Sequence, residues 1–303
     1  MLRQTIINSN QVLPLSDPER DNIDWLGDAH LATHTALAFL DSGAFYAQSL
    51  AGIADTAMHC ERLGPYAPAA PWILPYIVPT TGTGLDAQAC VNWFGNAPGF
   101  EWSVAYLVYA DVVSAHYNDS RAVADNYADM AQLVAAVQPW VSNGLMSAAI
   151  FGDWANQALG ITPSVCECGL FTQDQHRVNS SAPCACQGTT TPNQMGGGWS
   201  AGFYYIYALD AMYRFATQLG LASDAERYFG MAEDARAAFG SAYVVQDPTS
   251  GNWTVRGGGE CPGCMGAAAM ALQAPGGPVM DAGVTQAVCA HLIDAIASKG
   301  GRL

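Results

Sequence analysis

The sequence predicts an all-α fold. Three observations carry that expectation. Apolar residues recur at helical spacing through most of the chain, strand-like stretches are short and isolated, and no strand–helix–strand alternation is present. At 303 residues, with 50% hydrophobic and 10% aromatic content, the chain can bury a large core, and a single domain over 1–303 is expected.

Helices are expected at Asp28–Asp41 and Ala44–His59, an αα pair broken at Ser42-Gly43. Between Trp102 and Tyr117, apolar residues at 102, 105, 108, 109, 112 and 113 give the helical period. Ser120 reads as the N-cap of a helix running to about Gln138. Trp199–Leu219 is aromatic down one side, through Phe203, Ile206, Tyr207 and Tyr213. Ser223-Asp224-Ala225-Glu226 is a capping box opening a helix to Phe239. Met265–Leu272 and Gly283–Ser298 complete the set, the last ended by Gly300-Gly301. Further helices are expected in Trp140–Leu159, and Val244-Val245 and Trp253-Thr254-Val255 are the clearest strand signals. Residues 160–197 form a loop insertion: its core, Ser164–Pro192, is rich in Ser, Thr, Pro, Gly and Gln and has no periodicity.

Net charge is −15, with Lys299 the one lysine among 11 basic residues, which excludes nucleic acid as an expected partner. No apolar run approaches the ~18 residues of a membrane span, and Met1-Leu2-Arg3-Gln4 lacks a signal-peptide core. Six of the nine cysteines lie in tight pairs: Cys166/Cys168, Cys184/Cys186 and Cys261/Cys264. Cys-x-Cys is too short for the usual zinc knuckle, so disulfides are favoured over zinc, and neither metal nor cofactor is expected. Cross-links between the two Cys-x-Cys groups would pin the loop, since a ring closed within one group strains the disulfide. The odd cysteine is expected to be a buried thiol such as Cys289. Sequons at Asn118, Asn179 and Asn252 agree with a glycosylated, secreted or extracellular protein. His30 and His34, at i and i+4, have no third ligand in view, and core or surface roles are the commoner reading.

The densest chemistry lies at 16–28, Ser-Asp-Pro-Glu-Arg-Asp-Asn-Ile-Asp-Trp-Leu-Gly-Asp, where five carboxylates, Arg20 and Trp25 fall within thirteen residues of a chain only 12% charged. Clustered carboxylates beside an aromatic ring suit glycoside hydrolysis, which needs an acid, a partner carboxylate and a flat surface for the sugar. Helix capping accounts for Asp28 but not for Arg20, Asp21 or Trp25. Asp24 reads as a solvated turn residue.

Residues 14–29 resemble the signature P-T-D-C-P-x-R-E-R-x-G-W-x-G-D-A of bacterial-type α-L-rhamnosidases, glycoside hydrolase family 78. Pro18, Arg20, Trp25, Gly27, Asp28 and Ala29 match without a gap, and Asp21 stands where the family has its general-acid Glu. Asn22 replaces a basic residue, Asp24 replaces Gly, and Ser16-Asp17 replaces Asp-Cys. Fainter echoes follow in order: Glu101-Trp102-Ser103, Gly152-Asp153-Trp154, the aromatic stretch from Gly197, the stretch Asp224–Phe239, and Lys299–Leu303 at the start of "G-G-x-L-T-T-G-F".

The resemblance implies an (α/α)6 toroid of the six-hairpin glycosidase type, here short of its last helices. It implies a rhamnose-containing glycoside or polysaccharide as partner, no cofactor, and inverting hydrolysis of terminal α-L-rhamnose with Asp21 as acid. Asp17 (or Ser16), Arg20, Trp25, Asp28, Trp102, Asp153, Trp154 and Trp199 are the implied sugar-binding residues. Each has a plainer alternative: Asp21 an ion pair with Arg20, Trp25 core, Asp153-Trp154 a turn. The family's general base is a Glu in a Trp-Glu segment expected beyond Leu303. The Asp-for-Glu change leaves open a sugar-binding protein without catalysis, or another inverting (α/α)6 glycosidase.

Overall fold

The structure, a computed structural model, describes residues 2–10, 14, 24–62, 77–78, 100–146, 197–246, 248, 251–255, 269, 271–274, 276–277 and 279–298. Its helices are α1 (Leu2–Ser9), α2 (Leu26–Phe39), α3 (Gly43–Arg62), α4 (Phe100–Ser103), α5 (Ala105–Tyr117), α6 (Arg121–Ala124), α7 (Tyr127–Ala136), α8 (Gly197–Gln218), α9 (Ala222–Tyr243) and α10 (Ala282–Ser298). Three two-stranded antiparallel ribbons accompany them: β1 (Asp24–Trp25) with β2 (Ile77–Val78), β3 (Val141–Ser142) with β4 (Leu145–Met146), and β5 (Val244–Gln246) with β6 (Trp253–Val255).

Helix α5 is the axis of the core. Ala105–Ala110 are all buried, as are Val112, Val113 and Ser114. The one-sided period read from sequence is therefore too narrow: α2 and α3 cover one flank of α5 and α8 reaches another, so it is apolar nearly all round. Tyr106 and Tyr109 carry their hydroxyls into this core. Helices α8 and α9 form the most extensive helix pair. Between them Gly220 takes φ +72°, the Gly220 N–H donates to the Thr217 carbonyl and the Leu221 N–H to the Ala216 carbonyl, the bond pattern of a Schellman stop.

Several local expectations are corrected. Ser120 occupies the N-cap of α6 without a side-chain bond; Asp119 Oδ1 accepts the Arg121 N–H instead (3.0 Å), and the helix expected to reach Gln138 is interrupted at Asp125-Asn126. The capping box at Ser223 does not form, because α9 already starts at Ala222, with Leu221 at its N-cap; Asp224 instead accepts from Tyr127 and Arg227. Residues 141–146 make a hairpin, not a helix, turning at Asn143 (φ 50°) and Gly144 (φ 78°); residues 147–159 lie outside the described ones. Two positive-φ residues give the I′-like turn that matches strand twist, so the Asn-Gly pair was the readable signal. The strands at 244–246 and 253–255 are not isolated but paired with each other. Cys289 is a free thiol as expected, but exposed on α10 instead of buried.

Candidate functional site

The site is built where the acidic segment meets α2. Asp24 pairs across the ribbon with Val78, and Trp25 with Ile77. Side chains alternate along a strand. Accordingly Asp24 is buried while Trp25 is half-buried against the core edge. Trp25 is the N-cap of α2 with extended backbone (φ −76°, ψ 103°) and makes no side-chain cap bond. The capping role read for Asp28 is therefore displaced: Asp28 sits exposed in the first turn of α2, where its charge complements the helix dipole.

Gly27 explains the next step of the motif. A Cβ built there would lie 2.2 Å from Cε2 of Trp102, so only glycine lets the Trp102 indole press against the helix backbone. Two residues singled out far apart in sequence, Trp102 and the Trp25–Asp28 turn, are thereby brought together. Helix α4, which carries Trp102, packs against both α2 and α8. The first turn of α8 holds the backbone of Trp199.

Beneath this junction His30 takes the core role that the sequence reading held among the commoner ones, and Glu101 is buried as well. His30 is buried, its Nε2–H donates to the Glu101 carbonyl (3.0 Å), and its ring meets Tyr204 edge-on at 5.3 Å. Burial pushes its pKa down to about 4 against the lift of that hydrogen bond, so the imidazole is neutral at physiological pH. These contacts account for His30, and His34 on the same helix is exposed. Among the described residues no group of three or more His, Cys, Asp or Glu could hold a metal. Glu101, too, is buried, in the same short helix as Trp102.

Asp24 departs most from expectation. It is not a solvated turn residue but 1% exposed, and neither carboxyl oxygen has a hydrogen-bond partner among the described residues. Desolvation first, and then the Asp28 carboxylate, hold its pKa well above the ordinary 3.8. Its charge is felt by the Tyr46 and Tyr109 phenols, both raised chiefly by burial. The misreading has a physical cause: pairing with Ile77-Val78, more than fifty residues away, is invisible to local pattern.

Of the remaining expected site residues, Asp17, Arg20, Asp21, Asp153 and Trp154 lie outside the described residues, as does the Trp199 side chain. The same holds for Cys166, Cys168, Cys184, Cys186, Cys261 and Cys264 and for the 160–197 insertion up to Gly196. What the described part offers is an exposed carboxylate, Asp28, and a half-buried indole, Trp25, above a buried indole, Trp102, and a buried carboxyl, Asp24.

Comparison with known proteins narrows this. Residues 7–180 match the family described as the bacterial alpha-L-rhamnosidase 6 hairpin glycosidase domain. No curated protein matches the chain. Among solved structures, the α-L-rhamnosidase from Dictyoglumus thermophilum superposes with a TM-score of 0.64 at 19% identity, over 97% of this chain and 27% of that one. A Streptomyces avermitilis α-L-rhamnosidase complexed with L-rhamnose gives 0.64 at 20% identity, over 98% of this chain and 23% of that one. Native α-L-rhamnosidase from Aspergillus terreus gives 0.63 at 16% identity, over 100% of this chain and 29% of that one. At these identities the likeness establishes the fold, the all-α six-hairpin toroid, and the chain spans less than a third of the length of each of these enzymes.

Proposed function

This chain belongs to the bacterial α-L-rhamnosidase six-hairpin glycosidase domain family, and from that membership we propose that it serves the inverting hydrolysis of terminal α-L-rhamnose from glycosides or polysaccharides. The observation that supports the reading is the packing of Trp102 on Gly27, in the motif that also carries Trp25 and Asp28. In the proposed step the Asp21 carboxylic acid protonates the glycosidic oxygen as the C–O bond breaks. Water enters the anomeric carbon from the opposite face and loses its proton to a base not assigned among these residues. Inverting enzymes hold the two carboxyls ~6.5–9.5 Å apart to admit that water. Arg20, Asp17, Asp28 and Asp153 would bind sugar hydroxyls and Trp25, Trp102, Trp154 and Trp199 its apolar faces. The relative complexed with L-rhamnose supports that choice of sugar.

The test is release from p-nitrophenyl α-L-rhamnoside together with calorimetric binding of L-rhamnose. Asp21→Asn is expected to lower turnover by about 10²–10⁴-fold with binding retained. The Asp for Glu at position 21 favours one second reading, a rhamnose-binding protein without hydrolysis; binding without turnover in the unaltered chain would select it. Turnover of a different glycoside would overturn the sugar assignment.

We further propose an oxidising, extracellular or secretory setting. Asn118 and Asn252, two of the three sequon asparagines, are exposed, as glycosylation requires.

A further inference from the structure

His30 lies where the helices of Asp28, Trp102 and Trp199 meet. It follows Asp28 by two positions on α2. Its Nε2–H donates at 3.0 Å to the Glu101 carbonyl, which belongs to the peptide joining Glu101 to Trp102 on α4. Its ring meets that of Tyr204 on α8 edge-on, 5.3 Å between centroids. The imidazole is 4% exposed, so the bond is made away from bulk water. Helix α4 is a single turn whose residues, Phe100–Ser103, are all buried. A helix that short does not hold itself, and its placement comes from tertiary contacts. Gly27 and His30 supply such contacts from one face of α2, being three residues apart. Gly27 takes the Trp102 indole against its backbone, and His30 ties the Glu101–Trp102 peptide. Asp28 and Leu31, each one position further on, fall on the exposed face. Anchors at Gly27 and His30 therefore fix the rotation of α2 about its axis, and with it the direction in which Asp28 projects.

We propose that His30 is a positioning residue for the sugar site: its bond to the Glu101 carbonyl holds the start of α2, with Trp25 and Asp28, in register with the α4 turn that carries Trp102. Buried, it acts through those residues and not on the sugar itself. A carbonyl only accepts, so the position demands an N–H donor at the reach of Nε2. The proposal deepens the rhamnosidase reading and rests on it.

The test uses the full chain carrying His30→Leu, which keeps bulk and removes the donor, or His30→Gln, whose amide N–H has a reach similar to that of Nε2. L-Rhamnose affinity by calorimetry, the urea midpoint and the near-UV circular dichroism spectrum are measured for each. His30→Leu is expected to weaken L-rhamnose binding at least about tenfold, and His30→Gln to bring it back to within about threefold of the unaltered chain. His30→Leu is also expected to change the near-UV spectrum, and that change to vanish in a Trp102→Phe background. A folded His30→Leu with a lower urea midpoint but unchanged affinity is a purely structural loss and overturns the proposal. Equal losses in the Leu and Gln variants overturn it too, as does a spectral change that persists without Trp102. Should His30→Leu fail to fold, His30→Asn takes its place, since its amide stops at the reach of Nδ1 and leaves the carbonyl unmet. The affinity arm needs binding alone and holds for a chain that does not hydrolyse. If the unaltered chain binds no L-rhamnose, the rhamnosidase reading fails and the sugar role of His30 falls with it; binding that ignores His30 defeats this proposal alone.

Discussion

At the scale of single residues, Gly27 and Asp24 behave in opposite ways. Gly27 was legible: it matched a motif, and the structure supplies the reason, an indole lying where a Cβ would be. Gly27→Ala is expected to displace Trp102 and cost about 1–3 kcal/mol, as overpacking of a core contact does, read from urea denaturation. If Trp102 helps to form the sugar face, affinity for L-rhamnose falls with it. Asp24 was misread, because a carboxylate in an acidic run looks solvated unless its strand partner is known. Its folded-state pKa is raised, so the native state holds the proton more tightly than the unfolded chain does. The contribution is present below the ordinary value of 3.8 and is lost as pH rises from there towards the folded-state value. Among the described residues, the titratable groups coupled to it are Asp28, Tyr46 and Tyr109. Asp24→Asn is therefore expected to raise Tm by an amount that grows with pH above about 4, then levels off. A Tm gain independent of pH between 4 and 8 would contradict it.

Elements were read well where the signal was local and repeated. The helical period placed α2, α3, α8, α9 and α10 to within a few residues, because each buries a stripe against α5 or a neighbour. Ends were read less well. Ser223 has the capping-box pattern, yet the chain leaving the Schellman turn at Gly220 already adopts helix from Ala222, one residue too early for Ser223 to cap. Gly220 offers a clean measurement, since a Cβ there meets nothing within 4 Å and only the positive φ opposes it. Gly220→Ala is expected to cost about 1 kcal/mol, with no change in ligand binding. Deeper in the same hairpin, Arg236 Nη1 donates to Asp210 Oδ2 at 2.7 Å, with only 11% and 5% of the two side chains exposed. Removing the carboxylate takes away one of the two carboxylates that hold this buried guanidinium, Glu233 being the other, so Asp210→Ala is expected to cost about 1.5–3 kcal/mol by urea denaturation. Neither residue stood out in the sequence, because the partners lie on different helices and 26 positions apart.

Across the whole molecule, composition limited the ligand class before any site was seen: a chain of net charge −15 repels polyanions and suits neutral glycans. The fold class followed from periodicity, but the toroid followed only from the motif, since spacing says that helices pack and not how they close a ring. Cysteines resist this kind of reading altogether, because connectivity depends on distances that spacing does not encode. Cys289 illustrates it: its helix is apolar in sequence, so burial was expected, yet it projects from the open side of α10 with Ile293 and Gln286. An exposed thiol on a folded protein reacts without unfolding. Brief alkylation of the native chain is therefore expected to modify Cys289, and mass mapping without reduction to find Cys166 and Cys168 cross-linked to Cys184 and Cys186. Zinc released in stoichiometric amount, or four free thiols in Ser164–Pro192, would replace the oxidised loop with a metal-bound or reduced one. The proposed extracellular setting would then have to be abandoned, while the glycosidase reading, which rests on the Trp25–Asp28 junction, would stand.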